Sequence, residues 1–326
     1  MTVDVRLSLG SEKPRFEPLS PRQLAWRRFR RHRMAMGGLI VLGLLVVYIF
    51  LGGFLVRGYC GPLDKTVVGE AWANCNDTGQ KLSPPSGLHP FGTDAIGSDI
   101  LARTIYGGQI SFLIGIAAAL MEVSLGTLVG SVAAFYGGWI DSLLMRFTEA
   151  MLNIPTLFLL IVTAKFFGGR LPNLAIFGRE LTGSVLVIIL IIGATSWMYL
   201  ARIVRGNVLS LREMDFVAAS RALGVSDARI IVAHLLPNTL APITVAATLG
   251  VANAILSETY VSFLGLGVQP PTASWGNMIE GAYEYLEQAP WMWFFAGIMI
   301  LLTVLSVNFV GDGLRDALDP RGSQSL

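Results

Sequence analysis

The side chains able to act as nucleophiles, bases or metal ligands are sparse here: three histidines, two cysteines and 22 acidic residues, in 326 residues of which 53% are hydrophobic. His32, His89 and His234 all lie outside the long apolar runs. No nucleophile and base are therefore brought together for hydrolysis within a membrane. No G-x-x-x-x-G-K-[ST] loop occurs, so ATP is not expected to bind this chain by that mechanism. Glu122, Glu149 and Glu258 fall at or within apolar runs, and Lys165 near the end of one. Charges in a bilayer are costly and must face protein or water. A proton relay is one reading; pairing or placement at the interface is preferred, because Glu149 and Lys165 lie close to run ends.

These residues are carried by elements that the composition already constrains. With only 14% charged residues, the chain cannot cover one water-soluble domain of this size, and a net charge of +2 gives no general footprint for nucleic acid. The uncharged run 34–56 is long enough for a helix to cross a hydrocarbon core of about 30 Å. Further runs centre on 111–136, 150–167, 181–201, 240–264 and 289–310. Backbone satisfaction in lipid makes these helices, so the fold class is an all-α integral membrane protein with about six transmembrane helices. The run 34–56 is too long for the apolar core of a cleaved signal peptide and is read as an uncleaved anchor.

The basic cluster from Trp26 to Arg33 should remain cytosolic, which places Arg202, Arg205, Arg212, Arg221 and Arg229 on the same side, together with Arg146, Arg315 and Arg321. The segment 267–288, with Glu280, Glu284 and Glu287 and no Lys or Arg, is then outside. Both termini are expected to be cytosolic. The resulting order is a basic leader (1–33), a first span (34–56), an outside segment (57–107), a core of five spans (108–313) and a cytosolic tail (314–326). Cys60 and Cys75 share the outside segment, where a disulfide could persist. Two unrelated thiols are the alternative. A metal site is less favoured, since no C-x-x-C spacing occurs and His89 is the only nearby imidazole. The leader is expected to include a short interfacial amphipathic helix carrying Trp26 and Phe29. Gly126 and Gly130 have the spacing of close helix packing, and Pro155 and Pro242 are expected to kink or start helices.

The cytosolic stretch 205–238 is longer than a plain connection requires. Phe216, Val217, Ser220 and Leu223 recur at helical spacing, and Gly224 is placed to end that helix in a left-handed conformation. Ser226 and Asp227 can cap a second helix bearing Ile230, Ile231, His234 and Leu235, which Pro237 and Asn238 turn back toward the membrane. This is a helix-turn-helix lying along the cytosolic face. An amphipathic surface helix of this kind suits either lipid headgroups or a groove on a partner protein.

Ala218-Ala219-Ser220, Gly224 and His234-Leu235-Leu236-Pro237 resemble the EAA loop of ABC importer permeases. Ala218 stands where that motif has Glu, Ser220 where it has Ala, and His234 where it has Ile; the first change removes a charge that could contact the ATPase. The resemblance extends from about His89 to the end of the chain. His89-Pro90-Phe91-Gly92-Thr93-Asp94, Ser262-Phe263-Leu264-Gly265-Leu266-Gly267, Ser274-Trp275-Gly276 and Gly311-Asp312-Gly313-Leu314-Arg315-Asp316 are similar to the dipeptide/oligopeptide/nickel permease family of the DppC/OppC type. Ser98 and Gln109 stand where that family often has Arg, and Glu149 where it often has Asp.

The resemblance implies an ABC importer type I permease fold in a prokaryotic plasma membrane. It also implies a homologous second permease, two nucleotide-binding ATPase subunits that hold ATP and Mg, and an extracytoplasmic binding protein. The chain itself is then non-catalytic and carries no cofactor. Phe216, Val217, Ala218, Ala219, Ser220, Arg221, Leu223, Gly224, His234 and Pro237 become the ATPase-coupling residues. Di- or oligopeptides are the favoured cargo, with nickel or other small solutes as the alternative, since no span holds the His or Cys that nickel prefers. An ion-coupled secondary transporter is a further alternative, but the coupling-ion sites it needs are not identifiable.

Overall fold

Ser20 caps α1 (Pro21–Arg31): its hydroxyl accepts from the Gln23 amide, and the Gln23 side-chain carbonyl accepts from the Ser20 amide. The computed structural model describes residues 20–57, 79–167, 170, 172–176, 179–270 and 272–318. In α1, Phe29 is buried against Ala35, Val310 and Ala317, whereas Trp26 stays exposed and stacks on Phe29. His32 ends α1, and α2 (Arg33–Arg57) follows at once as the first apolar helix.

The second long helix, α3 (Ile100–Tyr136), is capped by Asp99, whose carboxylate accepts from the Ala102 amide. The segment 100–107, read from sequence as part of the outside segment, is continuous with the span. A helix of 37 residues rises about 55 Å, more than the hydrocarbon core needs, so one end projects beyond it. Gly126 and Gly130 press α3 onto α6 (Gly183–Arg212): a Cβ on Gly130 would stand 2.4 Å from the Ala201 carbonyl oxygen. Their spacing therefore serves a real backbone approach.

The third apolar run departs from the expected single span over 150–167. Helix begins earlier, as α4 (Gly138–Leu152), and breaks before α5 (Thr156–Phe167), the two axes meeting at 86°. Pro155 has no amide hydrogen and disfavours helical geometry at Ile154, so it ends one helix and starts the next. A hairpin of two three-residue strands, β1 (Leu174–Ile176) with β2 (Arg179–Leu181), pairs Leu174 with Leu181 before α6.

Beyond α6 come α7 (Asp215–Ala222), α8 (Asp227–Ile230), a π-helical turn (Ile231–Leu235) and α9 (Leu236–Asn238). The stretch 205–212, assigned from sequence to the cytosolic loop, instead continues α6. The remaining elements are α10 (Leu240–Phe263), α11 (Trp275–Ala282) and α12 (Trp291–Leu318), so 314–318, read as tail, is helical. Among the described residues, α2, α3, α6, α10 and α12 are each long and apolar enough to cross a membrane, and the bent pair α4 and α5 makes a sixth span if counted as one. The most extensive helix packing is α3 against α6, with α10 and α12 completing the bundle.

Candidate functional site

Val217 fixes the position of α7. It is fully buried, in a cluster with Leu200, Val204 and Val208 of α6, Ile230, Ile231 and Leu235 of the returning segment, and Ile243 of α10. The other face of α7 points away: Ala218 and Ala219 are exposed, Phe216 is 37% exposed and Leu223 is 82% exposed. Equal helical spacing therefore separates into one anchor and a free surface of small and apolar side chains. Arg221 lies over the Phe135 ring, 5.0 Å from its centroid, and the Ser220 hydroxyl donates to the Phe216 carbonyl.

Gly224 closes α7 with φ of +75°. The Val225 amide donates to the Ser220 carbonyl and the Gly224 amide to the Arg221 carbonyl, the paired bonds of a Schellman cap. Ser226 occupies the N-cap of α8 with extended backbone, though its side chain makes no capping bond. Leu236 reaches back five residues to the Ile231 carbonyl, giving the wide turn just before Pro237, which has no amide hydrogen to donate. His234 is half-buried, and its carbonyl accepts from the Asn238 side chain; Pro237 is exposed.

Two arginines tie this module to the bundle. Arg205 forms a two-pronged pair with Asp141 at the start of α4, both contacts at 2.6 Å. Arg212 donates to the Ala134 and Phe135 carbonyls at the end of α3, which have no partner within their own helix. Both arginines were legible only as markers of membrane side; their partners, 64 to 78 residues away, leave no local signal.

At the opposite end of the bundle two sequence motifs converge on Glu258. It is 0% exposed and accepts from Ser111 of α3 at 3.3 Å, Ser262 of α10 at 2.6 Å and Ser274, the cap of α11, at 2.6 Å. Gly276 packs against Ser262, Thr259 and Glu258, where any side chain would collide. Trp275 is fully buried and donates from Nε1 to the Thr104 carbonyl. The serines and glycines of the two motifs thus fasten α11 onto α3 and α10. Nearby, His89 Nδ1 lies 2.8 Å from Asp99, and Asp94 pairs with Arg103 and accepts from the Ser98 amide. Trp291 of α12 donates to the Thr93 carbonyl, so the segment 79–99 is laid across the ends of α3 and α12.

Of the other acidic candidates, Glu149 is exposed in α4 with Arg146 at 3.9 Å, and Glu122 is half-buried in the middle of α3. Cys60 and Cys75 lie outside the described residues.

Residues 126–324 match the family described as binding-protein-dependent transport system inner membrane component, and residues 20–66 match the N-terminal TM domain of oligopeptide transport permease C. The chain belongs to this transport family. The oligopeptide transport system permease protein OppC of Escherichia coli is 39% identical over 311 residues, 95% of each chain. The dipeptide transport system permease protein DppC of Bacillus subtilis is 40% identical over 304 residues, 93% of this chain and 87% of that one. OppC of Haemophilus influenzae is 37% identical over 310 residues, 95% of this chain and 92% of that one. As a member of the binding-protein-dependent transport family, the protein is a multi-pass inner-membrane permease subunit of an ABC importer, which implies ATPase and substrate-binding partners.

Proposed function

We propose that this permease forms half of the translocation path for di- or oligopeptides and receives the ATPase stroke through α7. The observation that carries the reading is the arrangement of α7: one buried anchor, Val217, beneath an exposed surface of Ala218, Ala219 and Leu223. A partner can seat on that surface, and a push on it passes through Val217 to α6 and α10 and through Arg205 and Arg212 to α4 and α3. The related proteins named as oligopeptide and dipeptide permeases support the cargo class.

In this reading α7 and both termini are cytosolic, while α11 and the segment 79–99 face outside. The arginines Arg202, Arg205, Arg212, Arg221 and Arg229 all lie on or near the α7 side, as the positive-inside bias requires. A homologous second permease completes the channel. Two ATPase subunits bind ATP and Mg and perform the hydrolysis; this chain contributes no catalysis and no cofactor. A binding protein delivers substrate to the α11 side. Alternation between inward- and outward-open states then follows closure of the ATPase pair, transmitted as a rigid movement of α7.

The test is reconstitution with the partner subunits in liposomes, measuring tri-alanine uptake with and without ATP and the binding protein. Uptake that needs both supports the reading. Uptake independent of ATP overturns it, and ATP-driven nickel uptake without peptide uptake overturns the cargo.

A further inference from the structure

A cleft of about 570 Å³ opens between α3, α6, α10 and α12. At its head stand Glu122 of α3 and Asn253 of α10; farther along are Tyr199 and Asn207 of α6, and at the end where α10 begins and α12 finishes is Arg315. Each span along this wall is otherwise strongly apolar.

Three observations set the head of the cleft apart. Glu122 makes no ion pair or hydrogen bond among the described residues, unlike Glu258 with its three serines. Gly250 makes room for it, since a Cβ there would stand 2.8 Å from Glu122 Oε2. Asn253 is exposed close to the midpoint of α10, and Tyr199 is 70% exposed on the neighbouring helix. An unpaired carboxylate and an exposed carboxamide at that depth are strongly disfavoured against lipid. They contribute no internal bond that would offset this disadvantage. A water-filled path against a second subunit accounts for both.

Building on the peptide-importer reading, we propose that the head of this cleft is a transit site for the α-ammonium group of a peptide. The Glu122 carboxylate accepts from the ammonium, and the Asn253 carboxamide, with both donor and acceptor, meets the first peptide group. Both contacts are single and partly exposed, which suits a site that must release its cargo. The cleft runs from Glu122 and Asn253 to Ala241, Pro242 and Arg315, at the end of the bundle where α10 begins, so the site sits on the way a peptide would take toward the cytosol.

The test uses the assembled four-subunit complex in liposomes, with Cys60→Ser, Cys75→Ser and Asn253→Cys in this chain. Modification rates are measured with a cationic and an anionic methanethiosulfonate reagent, with and without Glu122→Gln. The cationic reagent is expected to react faster, and Glu122→Gln to lower the cationic-to-anionic rate ratio about tenfold, as expected when a focused field is removed. With Asn253 intact, Glu122→Gln is expected to lower tri-alanine uptake severalfold at low peptide concentration, binding-protein-stimulated ATP hydrolysis reporting assembly in the same vesicles. A thiol that reacts with neither reagent, or an unchanged ratio, overturns the aqueous site. A lowered ratio with unchanged uptake overturns its role in holding the peptide. If the unsubstituted complex takes up no tri-alanine, the importer reading fails, while the reagent ratio still decides whether the cleft is an aqueous, cation-attracting site.

Discussion

Replacing Gly224 with Val tests the coupling surface most directly. A Cβ at Gly224 would meet nothing within 4 Å, so steric collision with neighbours plays no part. The whole penalty comes from φ of +75°, where a residue with a Cβ loses about 1–2 kcal/mol relative to glycine. The chain can escape by turning Gly224 to negative φ, which breaks the Val225-to-Ser220 and Gly224-to-Arg221 bonds and detaches α7 from α8. A cost of that size shifts the balance between docked and detached α7 by roughly five- to thirtyfold. Asn tolerates the left-handed region far better and serves as the control. In proteoliposomes the assay is peptide taken up per ATP hydrolysed. The Val variant should retain hydrolysis but show a reduced ratio, and the Asn variant should stay close to the parent. Equal ratios for Gly, Asn and Val would refute the claim that the cap geometry transmits the stroke.

Val217→Asp places a charge in the cluster formed by α6, α10 and the returning segment, and is expected to destabilise the protein by at least about 3 kcal/mol, read as loss of the folded peak in size-exclusion fluorescence. Arg205→Ala leaves Asp141 without its two 2.6 Å contacts and should cost about 2 kcal/mol in a denaturant titration in detergent, with Arg205→Lys recovering only part because it loses the fork. Glu258→Ala removes the shared acceptor of Ser111, Ser262 and Ser274 and should lower stability by about 1–3 kcal/mol, whereas Glu258→Gln keeps an acceptor and is expected to be milder; thermal unfolding in nanodiscs compares them.

Five of the six apolar runs located single long membrane helices because burial in lipid demands continuous hydrophobicity, and the left-handed turn at Gly224 was legible because glycine adopts that conformation without the strain a Cβ brings. Direction was less legible. Hydropathy over 150–167 records an apolar stretch but not its axis, so the start of α4 at Gly138 was missed, and Pro155, which was expected to kink or start a helix and does so, gave no sign that the bend would be a right angle. Helical spacing grouped Val217 with Leu223, yet only the packing of α6 decides which of them is buried. The partners of Glu258 come from residues 4 to 147 positions away, and no local pattern joins Ser111 to Ser274. Resemblance to a family carried the motifs around Gly265 and Trp275, but not the reason their small residues are required: Gly267 and Gly276 both lie against Ser262.

The π-helical turn Ile231–Leu235 has a consequence for registry. Such a turn is an α-helix carrying one residue too many, and one residue corresponds to about 100° of rotation about the axis. Removing the exposed Val232 would let the segment close into ordinary helix, with the helix on either side keeping its present facing. The surplus residue therefore acts like slack taken up in one link of a chain: the widened turn absorbs it, and the phase between α7 and α10 is kept. A single insertion or deletion in the regular helix of α10 has no such turn to absorb it and would leave the contacting residues present in the chain but meshed with the wrong neighbours.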